Sequence, residues 1–412
     1  MDRRVVITAA AAITPIGDTE QTIFENLVAG VSGVKPLNED DDLAQYLSSK
    51  VFGTVDYDIE YNFERQYRKT MGPVSFYACK AAKDALKQAE LPQALYASGR
   101  MGVAFGSTHG SPTVQRNVYK AFFSGDRKKV RNIGAADYLK AMVHTTAANI
   151  CKMFNITGRV IASCTACTTG SQNIGYGYEA IKFGMQDAML CGAADEYDLA
   201  TVAVFSNLLA ASTKYNDTPQ LTPRPFDRDR DGLVVGEGAG ALVLEEYEHA
   251  RKRGAVILGE LIGFSCGNNG GDLILPKLEG VRPVIQEAVD NARVNPSDVD
   301  FVSAHATATK VGDIVESHAI HEVYGQAPFV TGLKSYMGHT MGACGAIESV
   351  LTLQMMNRGV IVPTLHLHNV DERCAPIKHT GQVREMSVKI ATVQNFAFGG
   401  VDTCLVYKHP EA

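Results

Sequence analysis

The sequence predicts an α/β protein made of two similar βαβα halves, and three observations carry that reading. Short apolar, β-branched runs alternate with stretches of helical period, the pattern of strands covered on both faces by helices. From Ala255 the order of elements starts again, without a literal repeat. Within the first half, Val160-Ile161-Ala162-Ser163-Cys164-Thr165-Ala166-Cys167-Thr168-Thr169-Gly170 passes from strand through a small-residue corner into a helix. The halves are placed at 1–254 and 255–412, with an insertion at about 107–150 in the first.

Arg4–Ala12 reads as a buried strand that Pro15 and Gly17 close. A helix from about Thr19 to Ala29 follows, with Asp18 and Gln21 at capping-box spacing and Ile23, Phe24, Leu27 and Val28 on one face. Lys69–Ala89 carries Ala78, Ala81, Ala82, Ala85 and Leu86 at helical spacing, and Met101–Gly106 is the next strand. From Ser107 to about Asn149, histidines, glycines and the basic run Arg127-Lys128-Lys129-Val130-Arg131 interrupt the rhythm as an insertion over the site. The helix after Cys167 begins Gly170-Ser171-Gln172-Asn173-Ile174-Gly175, nearly free of side chains on one face, as a deeply buried helix requires. Asp187–Ala194 and Gly238–Glu245 complete the half, while Arg224–Gly232 is too polar and turn-rich for strand or helix and on its residues alone reads as a solvated loop. The second half reads as strand Ile257–Phe264, helix Gly280–Ala292, strand Asp300–Ser303, helix Asp313–Tyr324, strand Phe329–Leu333 and helix Gly342–Met356. It ends in a hairpin of Ile390–Phe396 and Asp402–Lys408.

At 412 residues and 45% apolar composition a core is readily built, and a net charge of −6 argues against general nucleic-acid binding. Nine irregularly spaced cysteines do not read as a disulfide framework. Cys164 and Cys167 have Cys-x-x-Cys spacing, but no thioredoxin-like context surrounds them. His366 and His368 alternate on a strand-like run without acidic or cysteine partners, so no metal is assigned. No signal-peptide pattern and no run of ~18 apolar residues is present, which predicts a cytoplasmic protein without a membrane span.

Cys167 falls at a helix N-terminus, where unpaired N–H groups and the positive dipole end favour thiolate and are expected to lower a thiol from its usual ~8.5. Taken alone, a small buried hydrophobe is the commoner role for such a cysteine. Two further stretches change the balance: Phe301-Val302-Ser303-Ala304-His305, and Leu333-Lys334-Ser335-Tyr336-Met337-Gly338-His339. A cysteine with two histidines matches a nucleophile with carbonyl-polarising donors.

With Thr165–Gly170, His305 followed by Thr307 and Thr309, Lys334–His339 and Asn395-Phe396-Ala397-Phe398-Gly399-Gly400, the chain resembles the elongating β-ketoacyl-ACP synthases over essentially its whole length. The resemblance implies a thiolase-like fold, with mixed five-stranded sheets in an α-β-α-β-α layering. It implies decarboxylative Claisen condensation of an acyl-ACP, held as a thioester on Cys167, with malonyl-ACP. His305 and His339 would stabilise the enolate, Lys334 and Glu348 would support them, and the N–H groups of Cys167 and Phe398 would form the oxyanion hole. The Phe398 ring would gate the acyl pocket, with Gly399 letting the backbone approach the reacting carbonyl. Thr307 and Thr309 would bind the phosphopantetheine amides, and Asp313 and Glu316 match acidic positions of the family. No cofactor is implied beyond the phosphopantetheine that the carrier protein brings. Arg65, Arg68, Lys69, Arg127 and Lys128 are expected to dock that acidic carrier, and a homodimer, or a heterodimer with a related ketosynthase, is expected.

His109 aligns with a stretch that lines the acyl tube in relatives; it would either point out of the tube or make it shorter and more polar. The family has glycines where Ala306 and Ala308 stand, so these alanines either tighten the tunnel or reflect a backbone without positive φ. Val401-Asp402 replaces threonine and asparagine. Two other functions remain open: a non-condensing chain-length partner, and a cysteine hydrolase on the same scaffold. So does the pathway, whether fatty-acid elongation or a specialised polyene or polyketide route.

Overall fold

Eleven strands hydrogen-bond into one sheet whose order records the repeat seen in the sequence. In the computed structural model, which describes residues 3–37, 44–56, 59 and 63–412, the strands lie in the order Lys378–His379, Phe329–Thr331, Phe301–Ser303, Ile390–Phe396, Val401–Lys408, Gly259–Asn268, Val5–Ile13, Gly238–Glu246, Ala188–Asp195, Met101–Gly106 and Val160–Ile161. Within each half three strands are parallel: Met101–Gly106 between Val160–Ile161 and Ala188–Asp195 in the first, and Phe301–Ser303 between Phe329–Thr331 and Ile390–Phe396 in the second. Two antiparallel strands then follow in each, Gly238–Glu246 with Val5–Ile13 and Val401–Lys408 with Gly259–Asn268. The expected pair of five-stranded mixed sheets is therefore present, but joined: Val6 pairs with Glu260 and Ile7 with Gly259 across the middle. Lys378–His379 adds one strand to the C-terminal edge.

Helices fall into matching places in the two halves. Pro73–Ala89 and Thr145–Phe154 cover the outer face of the first, and Leu278–Ala292 and Gly312–Tyr324 that of the second. Thr169–Lys182 and Cys344–Arg358 pack on each other between the halves, touching strands of both, which gives the α-β-α-β-α layering. That central layer demands small residues. A Cβ at Gly170 would lie 2.8 Å from the Ala346 nitrogen, one at Gly345 would lie 2.9 Å from the Ser171 nitrogen, and one at Gly175 would enter the Phe264 ring.

Three local readings change. Thr19, not Asp18, caps the first helix, accepting from the Thr22 N–H, and the helix runs Glu20–Ala29 to a left-handed Gly30. The helix expected from Lys69 begins at Pro73, because proline has no N–H to extend a helix backward; Arg65–Arg68 forms a separate turn. The insertion holds the helices Pro112–Phe123, Arg127–Arg131 and Ala135–Ala141, while Thr145–Phe154 belongs to the repeated plan.

Candidate active site

Both central helices start from the same corner. A residue with positive φ, Ala166 at 48° or Met341 at 51°, leads into a single 3-10 turn, Ala166–Thr168 or Met341–Ala343, and then into the helix. In the first half this corner presents Cys167. His339, from the loop before the second corner, places Nε2 2.9 Å from the Cys167 sulfur. His305, at the end of strand Phe301–Ser303, stands edge-on to His339 with ring centroids 5.3 Å apart. One ligand atom from each of the three, all buried, lies within 4.8 Å of the others. The motifs thus converge, although 138 residues of sequence lie from Cys167 to His305 (305 − 167).

Behind them Lys334 Nζ meets Glu348 Oε1 at 2.5 Å, fully buried. The other carboxylate oxygen accepts from Asn395 Nδ2 at 2.8 Å, and the same amide nitrogen lies 3.4 Å from His305 Nδ1. Because the carboxylate fixes Nδ2 as donor, His305 Nδ1 is an acceptor and its proton sits on Nε2. Burial would lower Lys334 and raises Glu348, but the direct contact with the Glu348 carboxylate lifts the lysine above its ordinary value and keeps it charged. Burial pulls both histidines well below their usual value, and the Lys334 charge adds to it, leaving neutral imidazoles.

The thiol departs from expectation. Burial pushes Cys167 up to about 11, outweighing the Lys334 charge and the N–H groups of Phe398 and Cys167 that lie against the sulfur. The resting group is therefore a thiol beside a neutral imidazole, not a standing thiolate. A helix start alone does not offset the loss of water around a charge.

His305 is held from below by Glu316, whose carboxylate accepts from the His305 and Ala306 N–H groups at 2.7 Å each. Asp313 accepts from the Ala308 N–H at 3.0 Å and the Phe226 N–H at 2.7 Å. These bonds hold Ala306 at φ 36° and Ala308 at φ 64°, so the reading of a backbone without positive φ is overturned. The stretch Arg224–Gly232 is not a solvated loop: Arg230 is buried, bonding Asp371 at 2.7 Å and the carbonyls of Thr309 and Lys310.

A cavity of about 280 Å³ reaches Cys167, and His305, His339, Thr307, Thr309 and Phe398 line it. Gly399, at φ 92°, is outside the lining, with its N–H on the Leu273 carbonyl and its own carbonyl on Asn268. The Phe398 ring is partly exposed and tilts against Phe205 at 5.6 Å. His109 is exposed in the single chain and does not line this cavity, which is the alternative in which it points out of the tube: Ser107, Gly110 and Ser111 around it are buried, and the His109 carbonyl accepts from Gln115 Nε2. None of Arg65, Arg68, Lys69, Arg127 and Lys128 lines the cavity; Arg65, Lys69, Arg127 and Lys128 are exposed and Arg68 is half-buried.

Sequence reasoning gave Asn395 no role of its own and passed over Asp195 and Cys344. Asn395, a lone amide in the buried strand Ile390–Phe396, was detectable as a polar interruption. Asp195 accepts from Thr108 and from the Gly342 N–H at 2.7 Å, tying the second corner to the first half. Cys344 donates to the Cys167 carbonyl at 3.2 Å, and burial keeps its thiol well above the usual value. Asp402 lines the cavity with a buried Oδ2 that has no hydrogen-bond partner among the described residues, and burial raises it to about 7.

A layered two-half fold with a buried cysteine and two neutral histidines at the end of a cavity is the architecture of a condensing acyltransferase. Models of the beta-ketoacyl synthase N-terminal and C-terminal domains match residues 2–250 and 256–368, and the chain belongs to that family. It is 32% identical over 408 residues to 3-oxoacyl-[acyl-carrier-protein] synthase 1 of Escherichia coli (strain K12), covering 98% of this chain and 99% of that one. It is 34% identical to the mitochondrial 3-oxoacyl-[acyl-carrier-protein] synthase of Arabidopsis thaliana, covering 98% and 93%. Among solved structures, a beta-ketoacyl synthase from Burkholderia phymatum STM815 superposes with a TM-score of 0.94 at 39% identity, covering 99% of both chains. The ishigamide ketosynthase/chain length factor does so with 0.90 at 28%, covering 99% and 100%. No described helix is long and apolar enough to cross a membrane.

Proposed function

We propose that this chain is a 3-oxoacyl-ACP synthase that elongates acyl chains by decarboxylative condensation on Cys167. The observation that carries the reading is the 2.9 Å contact of the Cys167 sulfur with His339 Nε2 at the end of the cavity. In the first half-reaction the thiol proton passes to His339 as sulfur attacks the thioester carbonyl, and the oxyanion meets the N–H groups of Cys167 and Phe398. The leaving pantetheine thiolate takes the proton back. In the second, malonyl thioester loses carbon dioxide, its enolate oxygen is met by Nε2–H of His305 and of His339, and the carbon attacks the acyl-cysteine; the carbon–sulfur bond breaks, and Cys167 leaves as thiolate and is reprotonated by a proton from water to restore the resting thiol. Neutral imidazoles suit this as fixed dipoles that need no reorganisation. Among the described residues nothing bonds His339 Nδ1, so no partner locks its tautomer, and one nitrogen serves as acceptor in the first step and donor in the second. Lys334, Glu348 and Asn395 position the two rings.

The proposal includes an acyl carrier protein as substrate partner, with phosphopantetheine as its arm, bonded by Thr307 and Thr309, and no cofactor of the enzyme's own. In a related structure a type II PKS acyl-carrier protein is in complex with its ketosynthase, which supports this partner. Pairing with a second copy or a related subunit is supported by the free edge strand Val160–Ile161, where Val160 is 54% exposed. A cytoplasmic setting is supported by nine unpaired cysteines. Mass spectrometry tests the core of the proposal: incubation with acyl-ACP adds one acyl group to Cys167, and malonyl-ACP then removes it as the 3-oxoacyl product. Cys167→Ala, small enough for the same corner, remains folded and takes up none. An adduct on Cys164, or release only as free acid, overturns the assignment.

A further inference from the structure

The reacting groups of this site are also a ligand set. Cys167 Sγ and one ring nitrogen each of His305 and His339, all buried, lie within 4.8 Å of one another, and among the described residues they are the one group of three or more cysteine, histidine or acidic side chains that comes together so closely. A thiolate and two imidazoles are donors that zinc prefers, and three protein ligands with a fourth position open is the usual form of a reactive zinc site. Tetrahedral zinc needs sulfur–nitrogen separations of about 3.5 Å and nitrogen–nitrogen separations of about 3.3 Å, so shifts on the order of 1 Å would seat it. The cavity that ends at Cys167 supplies the entry path and the fourth position.

The two histidines are not equally ready to bind such an ion. A neutral imidazole coordinates only through the nitrogen that carries no proton. His339 meets the sulfur with Nε2 at 2.9 Å, and its Nδ1 has no hydrogen-bond partner among the described residues, so the proton is free to rest on Nδ1 and leave Nε2 to a metal. His305 is set the other way. Its Nδ1 faces Asn395 Nδ2 at 3.4 Å, and Glu348 Oε2, at 2.8 Å from that amide nitrogen, fixes it as a donor, so the proton of His305 is held on Nε2. Asn395 Oδ1 has no partner among the described residues, but turning the amide over would set that oxygen against the Glu348 carboxylate. Metal-bound histidines donate their second N–H to a carboxylate or carbonyl; Asn395 presents a donor instead.

We propose that Cys167, His305 and His339 form a latent zinc site, and that Asn395, by holding a proton on His305 Nε2, keeps the metal off the nucleophile. Zinc entry forms one Zn–S and two Zn–N bonds, releases the Cys167 thiol proton to water, and moves the His305 proton from Nε2 to Nδ1, where it meets the N–H of Asn395 head-on. No electrons are transferred. The same proton placement serves the enolate in the proposed reaction, so one amide both orients a donor and protects the thiol. The buried Lys334 ammonium also repels a dication, but it is common to wild type and to every Asn395 variant.

The test titrates zinc, and cobalt as its coloured substitute, into metal-free wild type, Asn395→Asp and Asn395→Ala, each with and without Cys167→Ala, and counts only the binding that Cys167→Ala removes. Asn395→Asp offers the Nδ1–H an acceptor of the same shape, and Asn395→Ala withdraws the opposing donor without adding a charge. Both should bind zinc roughly tenfold or more tightly than wild type, Asn395→Asp the tightest, since such a partner changes metal affinity about 10–100-fold. Cobalt in the variants should show the strong visible bands of a tetrahedral thiolate complex, and zinc should shield Cys167 from alkylation at concentrations that leave it reactive in wild type. If Asn395→Asp fails to fold beside Glu348, Asn395→Ala carries the comparison. Wild-type affinity equal to that of the variants removes the role of Asn395, and absence of Cys167-dependent binding in every variant removes the latent site; either result overturns the proposal and leaves the synthase reading intact.

Discussion

The two central corners of this molecule share a backbone and differ in what they carry. Ala166 and Met341 have nearly the same positive φ, each opens a single 3-10 turn, and each turn starts a helix of the buried middle layer. At the next position the first corner has Cys167 and the second has Gly342, whose N–H bonds Asp195 across the halves. The strained corner is therefore a property of the repeated architecture, required to start a helix inside a sheet layer. The chemistry comes from the side chain placed on it. The second half spends its corner on packing and brings its reacting groups from elsewhere: His339 from the loop before the corner and His305 from a strand end.

That division predicts different failures for the two histidines. On the proposed mechanism His305 serves only the enolate, whereas His339 also accepts the thiol proton. His305→Ala should slow malonyl decarboxylation on the order of a hundredfold or more, as loss of one preorganised donor does, with acylation of Cys167 nearly unchanged. His339→Ala should slow both half-reactions. Single-turnover acylation followed by quantified carbon dioxide release separates them, and equal profiles for the two variants would break the assignment. Because both rings are already neutral, neither should add an inflection between pH 6 and 8 to the decarboxylation rate constant of preformed acyl-enzyme; the groups that titrate there are buried carboxyls, Asp402 in the cavity wall at about 7 and Glu316 under His305 at about 8.

The second corner should fail by unfolding. A Cβ at Gly342 would lie 2.8 Å from both Asp195 Oδ2 and Thr108 Oγ1, and 3.0 Å from Thr169 Cβ. Gly342→Ala is expected to cost roughly 1–3 kcal/mol by overpacking, read as a lower denaturant midpoint, whereas Cys167→Ala shifts it by much less. Equal midpoints for the two variants would mean that the corners are interchangeable.

The sequence made the chemistry legible because reacting groups sit in short motifs with fixed spacing, and made the repeat legible because buried strands and helices have different periods. What it left out depends on distance and on water. The joining of the sheets through Val6 and Ile7 is a contact between strands some 250 residues apart, for which no local pattern exists. The thiol of Cys167 was placed at a helix start, but the size of its desolvation follows from the layers packed over it. His109 stands exposed between buried neighbours, and a residue that follows a strand does not declare which way its side chain points. The stretch Arg224–Gly232 looks solvated by composition, and Arg228 and Asp229 are exposed, yet Arg230 closes on Asp313 and Asp371 inside the protein.

The smallest effect concerns how the second half holds His305. Alanine in the left-handed region costs roughly 1–2 kcal/mol, and Ala308, at φ 64° and fully buried, bears that strain. Replacing it by glycine loses about 0.8 kcal/mol of methyl burial and about 0.4–1 kcal/mol through the freer unfolded chain. These losses and the relieved strain nearly cancel, so Ala308→Gly should leave stability within about 1 kcal/mol of wild type. Ala82, equally buried but in the regular helix Pro73–Ala89, offers the control. There glycine gains no relief and loses both helix propensity and a methyl, about 2 kcal/mol together. Turnover of Ala308→Gly should also persist, since the carboxylates of Asp313 and Glu316 still clamp the N–H groups at positions 308, 306 and 305. If denaturant midpoints show Ala308→Gly to be as destabilising as Ala82→Gly, the strain is absent and the strand end after His305 is held by packing alone.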